Sequence, residues 1–172
     1  DEEVSRGLGD VYKRQGNSTT HSISGLGFSP NLVWNKARTD SRTHNIFDSV
    51  RGAGELLTTN NNNAEQTVSV FDSFDSDGFT ISGSDNYMNN SSHDYVAWTW
   101  KANDDEPAIN TNGTVNSIVS VNDNAGFSIV EFTTPSSPDS STRVGHGLSS
   151  APDMIILKRT DGAEDWYVYH TG

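Results

Sequence analysis

The sequence predicts an all-β fold: an antiparallel β-sandwich of the jelly-roll or lectin-like kind, present as a tandem-repeat fragment. Three observations lead there. Short apolar runs alternate with period two, and Gly, Asn, Asp and Ser cluster between them. Ser, Thr and Asn supply 23, 16 and 17 of the 172 residues, a usage typical of strands and turns rather than helical bundles. One stretch of the chain is also written twice, 122 positions apart.

The elements follow in order. Leu32 to Lys36 reads as a short, mostly buried strand after a Ser-Pro turn, and Asn45 to Asp48 as a second. Thr67 to Phe71 alternates, with Val68 and Val70 inward. Gly78 to Ser82 places Phe79 and Ile81 on one face, and Tyr95 to Lys101 does the same for Val96, Trp98 and Trp100. Val115 to Val121 and Gly126 to Phe132 read as strands, as do Met154 to Lys158 and Trp166 to His170. No stretch carries a long 3.6-residue stripe. Only Gly54 to Leu57 and Ala64 to Gln66 read as helical turns, either side of the Asn60 to Asn63 run.

The repeat aligns without a gap over 35 positions. Gly25-Leu26 and Pro30 return as Gly147-Leu148 and Pro152, and Lys36 as Lys158. Asn31 meets Asp153, Leu32 meets Met154, Val33 meets Ile155, Trp34 meets Ile156, and Ile46-Phe47 meets Val168-Tyr169. Apolar blocks kept in register over such a span indicate one supersecondary unit used twice. The Asp- and Asn-rich stretch from Ala102 to Asn112 carries linker signals. The chain therefore divides into a first repeat at 16–108 and the first half of a second at 109–172. Residues 1–15 fit neither: Asp10 to Gln15 (D-V-Y-K-R-Q) resembles one frame of a transposon adapter used in shotgun sequencing libraries. On that reading they are a scar, the first repeat lacks its opening strand, and the chain is a fragment of a longer protein. The strand from Gly126 to Phe132 is then expected to complete the first repeat's sheet.

Several strings resemble a repeat found in tail-fibre-like and other structural proteins of marine and cyanobacterial phages. In the first repeat they are G-F-S-P-N-L-V-W-N-K-A-R (Gly27 to Arg38), F-D-S-V-R-G-A (Phe47 to Ala53), F-D-S-D-G-F-T (Phe74 to Thr80) and Y-V-A-W-T-W-K-A (Tyr95 to Ala102). In the second they are G-F-S-I-V, V-G-H-G-L, A-P-D-M-I-I-L-K-R and D-W-Y-V-Y-H. Asn35 departs from the apolar residue expected inside its strand. The resemblance implies a virion-associated β-sandwich module and brings no catalytic residue with it. Its implied partners are other virion subunits, a homo-oligomer with a trimer among its allowed states, and a host-surface glycan; its implied location is the phage particle.

Charge and composition narrow the chemistry. Asp and Glu number 23 against 11 Lys and Arg, a net charge of -12, which repels phosphate backbones and argues against nucleic acid. The longest purely apolar run, Met154 to Leu157, is far short of the ~20 residues a membrane helix needs. With no Cys, thiolate metal sites and Cys nucleophiles are excluded. Asp72, Asp75 and Asp77 before Gly78 form the densest acidic cluster. Such carboxylates can fold round Ca²⁺, but the EF-hand pattern fails for want of a Glu at its last position. A polar turn with Asp77-Gly78 as a hairpin signal is the plainer alternative. No other cofactor is implied.

His21, His44, His93, His146 and His170 carry no zinc spacing, and His146, at a tight Gly-His-Gly turn, reads as structural. No G-x-S-x-G elbow, P-loop or E-x-D-x-x-E strand occurs, and Glu131 is a lone carboxylate on its strand. Trp34, Trp98, Trp100 and Trp166 read as core rather than sugar platforms, whereas Tyr87, Tyr167 or Tyr169, if exposed, could stack on a sugar ring. The sequons at Asn17, Asn89, Asn90 and Asn112 read as coincidences of an Asn-rich chain. The sequence thus points to a non-enzymatic virion module that contributes to host adhesion. A free-standing carbohydrate-binding lectin-like domain is the alternative, and a glycan depolymerase comes third.

Overall fold

A computed structural model describes residues 9–83 and 88–172. Among them every regular element is a strand. The first eight are β1 (Asp10–Gln15), β2 (His21–Ser24), β3 (Leu32–Ala37), β4 (His44–Asp48), β5 (Gly52–Thr58), β6 (Gln66–Thr67), β7 (Phe71–Asp75) and β8 (Gly78–Ile81). The remainder are β9 (Asp94–Trp100), β10 (Ala108–Asn110), β11 (Ser117–Asn122), β12 (Phe127–Phe132), β13 (Met154–Leu157) and β14 (Tyr167–His170). They form four antiparallel sheets: a wide one in the order β1-β9-β3-β4-β5-β6, then β2-β8-β7, β10-β11-β12 and β13-β14.

The wide sheet and the β2-β8-β7 sheet share one core. Val33, Phe47, Leu56 and Ala97 from the first meet Ile23, Phe71, Phe79 and Ile81 from the second. Phe71 is the hub of its aromatics, with ring centroids 4.7 Å from Phe47, 4.8 Å from Phe74 and 5.6 Å from Phe79. Aromatic rings bury more apolar area than any other side chains, and offset contacts at such distances add to it.

The structure departs from the sequence reading at five places. Asp10–Gln15 are not outside the fold: they pair with β9 from Asp10↔Thr99 to Gln15↔Asp94. Arg14 is buried there; it donates to the Met88 carbonyl and, at 3.3 Å, to Asn89 Oδ1. Its guanidinium lies 4.7 Å over the Tyr95 ring, and burial lowers its pKa to about 10. The opening-strand position expected to be vacant is thus occupied by these residues. Accordingly, β12 does not complete the wide sheet. It pairs with β11 and meets the wide sheet through side chains, Phe127 stacking on Trp100 at 6.5 Å.

Gly54 to Leu57, read as a helical turn, lies inside β5, where Ile46↔Leu57 pairing with β4 overrides the helical preference of Glu-Leu-Leu; Ala64 to Gln66, read likewise, is not helical but runs into β6, Gln66 pairing with Leu56. Thr67 to Phe71 breaks into the end of β6 and the start of β7. Finally, Tyr95, Ala97 and Thr99 on one face of β9 are all buried; Val96, Trp98 and Trp100 share the other face as expected, but there only Val96 is buried and the two Trp are half-buried. Trp34 and Trp98 touch there, with centroids 5.8 Å apart.

The strands 122 positions apart agree in detail. In β3–β4 the pairs are Leu32↔Asp48, Val33↔Phe47, Trp34↔Ile46 and Asn35↔Asn45. In β13–β14 they are Met154↔His170, Ile155↔Tyr169, Ile156↔Val168 and Leu157↔Tyr167. Each pair is the other shifted by 122. The Ser49 N–H donates to Asn31 O, as Thr171 does to Asp153 O. Lys36 Nζ donates to the carbonyls of Ala37 and Asp40, and Lys158 Nζ to those of Arg159 and Gly162. Gly25 and Gly147 both adopt positive φ, +96° and +80°, a conformation that a Cβ disfavours.

Candidate functional site

The Asp cluster serves the fold. Asp75, on β7, accepts from Ser73 and Thr80 hydroxyls at 2.7 Å each. Asp77, in the β7–β8 turn, accepts the N–H groups of Gly25 at 3.0 Å and Gly27 at 2.6 Å, and its own carbonyl takes the Leu26 N–H. Asp72 points to solvent. Among the described residues no three His, Cys, Asp or Glu side chains converge as a metal ion would require, so the Ca²⁺ reading gains no geometric support. Asp77→Ala should cost about 1–3 kcal/mol by stripping two backbone donors of a charged acceptor. Thermal unfolding should show the same loss in Ca²⁺ and in EDTA; a loss confined to the Ca²⁺ sample would restore the metal site.

The histidines are also occupied locally. His93 Nε2 lies 3.4 Å from Asp40, His146 Nδ1 accepts the Leu148 N–H at 3.1 Å, and His170 Nδ1 accepts that of Gly172 at 3.0 Å. Burial lowers the pKa of His21, with Arg14 adding to it, and that of His44, with Lys36 adding. Tyr167 and Tyr169 are exposed, while Tyr87 lies outside the described residues. Asn89 is fully buried and bonds Asn17, Thr19 and Gly83, so its sequon is closed to modification in the fold.

An open groove of about 520 Å³ is lined by Thr59, Asn60, Asn61, Asn62, Asp165 and Trp166. It forms where the loop after β5 meets the residues before β14. The Trp166 indole N–H is shared between Thr58 O at 3.2 Å and Asn61 O at 3.1 Å, which fixes the ring as a wall. Asn61 Oδ1 accepts from the Thr58 hydroxyl at 2.5 Å and the Asn63 N–H at 3.0 Å, and Asn60 Oδ1 from the His44 N–H at 2.9 Å. These bonds hold the loop in one shape, and Asn62 and Asp165 stand exposed at its rim. A fixed aromatic wall beside amide and carboxylate groups can stack on a sugar ring and bond its hydroxyls. The sequence reading placed Trp166 in the core and the Asn run between two helical turns; only the meeting of segments about 105 residues apart brings them together.

The same domain holds a buried ion network. Arg51 bonds Asp48 Oδ2 and Glu65 Oε2, both at 2.6 Å. Glu131 on β12 faces this network: burial, with Glu65 and Asp48 nearby, raises its pKa, and Arg51 partly offsets them. A raised carboxyl pKa means the folded state favours the protonated form, so the ionised group destabilises the fold as pH rises through the ordinary carboxylate range. Glu131→Gln should therefore stabilise the protein at pH 7, by less than about 1 kcal/mol because solvent screens the group. The gain should vanish in melts below about pH 4; a gain that persists there would rule out charge as the cause.

A family model described as a domain of unknown function, DUF7483, matches residues 10–172. No curated protein and no solved structure matches the chain. With its match running from the first residue of β1 past the end of β14, the chain belongs to the DUF7483 family.

Proposed function

We propose that this chain is a non-catalytic structural module, a β-sandwich unit repeated along a phage tail-fibre-like appendage. The observation that carries it is the pair of hairpins 122 residues apart with the same register, the same lysine anchor and the same closing Asn/Asp bond. A unit that re-forms one supersecondary motif at fixed spacing builds an extended array, and neighbouring units stabilise one another in such arrays. The acidic, Ser/Thr/Asn-rich surface suits a solvated rod, and the phage-repeat strings supply the virion context. Immunogold labelling with antibodies to this chain tests the reading: label along appendages of phage particles supports it, and label only in host cells overturns it.

A second reading has its own observation. The Trp166 groove has the chemistry of a shallow glycan contact, which would make the module adhesive, or a lectin-like domain in its own right. Glycan-array binding that is saturable and falls in Trp166→Ala supports this; binding indifferent to Trp166→Ala removes it. Release of oligosaccharides from host polysaccharide would overturn the non-catalytic reading.

A further inference from the structure

Asn112-Gly113 is the one Asn-Gly pair of the chain, and Asp77-Gly78 and Asp161-Gly162 are its two Asp-Gly pairs. A glycine carries no Cβ to shield its amide nitrogen, so at such pairs that nitrogen can reach the carboxyl or carboxamide carbon of the preceding side chain. The fold treats the three differently. The Asp77 carboxylate is bound by the Gly25 and Gly27 N–H groups. That of Asp161 is bound by Arg159 Nε at 2.6 Å, and this hydrogen bond lowers its pKa; an ionised carboxylate resists nucleophilic attack. Asn112 is exposed, and among the described residues nothing bonds its carboxamide. The three Asn-Ser pairs are held as well. Asn17 Oδ1 accepts the Thr19 N–H and Asn90 Oδ1 that of Ser92, while Ser117, after Asn116, is paired on both sides in β11.

Gly113 also sits where two main-chain segments interlock. A Cβ there would lie 2.6 Å from Arg143 O, and one on Gly145 would lie 2.6 Å from both Asn112 O and Asn110 Oδ1. Arg143 O accepts the N–H groups of Thr114 and Val115, each at 3.0 Å, and Gly145 O accepts the Ser117 hydroxyl at 2.9 Å. These contacts strap residues 143–145 against the start of β11.

We propose that Asn112 is a site of spontaneous deamidation, with water as the co-reactant, and that its isoaspartate product unlocks this strap. The Gly113 amide nitrogen, deprotonated by base, bonds to Asn112 Cγ; the Cγ–Nδ2 bond breaks and ammonia leaves. Water then opens the cyclic imide. Attack at Cγ gives Asp, and attack at the main-chain carbonyl carbon gives isoaspartate, with Gly113 N still bonded to Cγ. Isoaspartate routes the chain through Cβ and lengthens it by one methylene. The interlocked segments exclude even a Cβ at Gly113, so the added atom must pull Thr114 and Val115 from Arg143 O and leave backbone groups without partners. Either product adds one negative charge, taking the formal net charge from -12 to -13. In the fold the Gly113 N–H donates to Thr111 O at 2.9 Å, so this turn opens before the nitrogen attacks. The site depends on neither the virion nor the glycan reading.

Prolonged incubation of the full chain at mildly alkaline pH, followed by isoelectric focusing and peptide mass mapping, tests it. The expected first change is a one-charge acidic shift that maps to Asn112, with isoaspartate there labelled by an isoaspartyl methyltransferase. Asn112→Gln, an exposed change that lengthens the side-chain arm, should abolish that shift. Amide hydrogen exchange at Thr114 and Val115 should be faster in the isoaspartate form than in untreated protein. Freshly prepared Asn112→Asp, which adds the charge without the methylene, should exchange like the untreated chain. Earlier deamidation at another Asn would overturn the proposal, as would a folded chain that stays unmodified while the urea-unfolded chain reacts at Asn112. Isoaspartate without faster exchange, or equal loosening in Asn112→Asp, would overturn it too.

Discussion

Phe47→Ala should destabilise the protein by about 3–5 kcal/mol, while Tyr169→Ala, the corresponding change 122 residues on, should shift stability by no more than about 0.5 kcal/mol. Phe47 is fully buried and stacks on Phe71 at 4.7 Å with an interplanar angle of 18°. Removing it deletes a large apolar surface and leaves a cavity that the rigid stack of Phe71 and Phe79 cannot close. Tyr169 occupies the same register position opposite Ile155 but is 56% exposed, so its truncation takes little from the core. Urea unfolding of the two variants measures the contrast. Equal losses would mean that Tyr169 is buried in solution.

Arg51→Ala should cost about 3–5 kcal/mol, the loss associated with breaking a buried ion network from one side. The Arg51 side chain is 7% exposed and that of Asp48 9%. Besides its two carboxylate partners, the guanidinium donates to Glu55 O at 3.1 Å and Ile46 O at 3.4 Å. Burial alone would lower the Arg51 pKa, but Asp48 and Glu65 outweigh it and hold the group charged. One side chain thus ties the β4–β5 turn to the residues before β6. Arg51→Lys keeps the charge but not the planar fork, so it should recover only part of the loss. Arg51→Met combined with Glu65→Gln should be milder than Arg51→Ala, since fewer buried charges are stranded. A loss below about 1 kcal/mol for Arg51→Ala would show that water reaches the network.

The parts of the site that the sequence reading found and missed differ in kind. Asp77-Gly78 was legible as a hairpin turn because turn chemistry is local. That the Asp77 carboxylate caps Gly25 and Gly27, some fifty positions earlier, was not, since no local pattern records a partner so distant. Arg51 lay within the F-D-S-V-R-G-A string, but nothing in that string showed its role, because its partner Glu65 lies 14 positions on. The Asn60 to Asn62 loop and Trp166 show no shared periodicity, and their groove exists only because the second hairpin docks beside the end of β5. Arg14 is the sharpest case. Its surrounding string looked foreign to the chain, yet an open strand position beside β9 accepts any extended segment whose inward residues can be satisfied. Tyr95 and Asn89 satisfy this one.

By itself the sequence determined that the protein is built of strands and where most of them lie, and it carried a pattern of apolar and turn residues that recurs at an offset of 122. Those properties follow from period-two alternation, turn residues and self-similarity, all written along the chain. Only the tertiary structure decided which face of each strand is buried. Alternation marks two faces but is silent on which one meets a second layer, and so Tyr95, Ala97 and Thr99 face the core while Trp98 and Trp100 do not. It also decided that β3–β4 lies enclosed between β9 and β5. Which strands arrive from elsewhere to flank a hairpin is not written in the hairpin's own pattern.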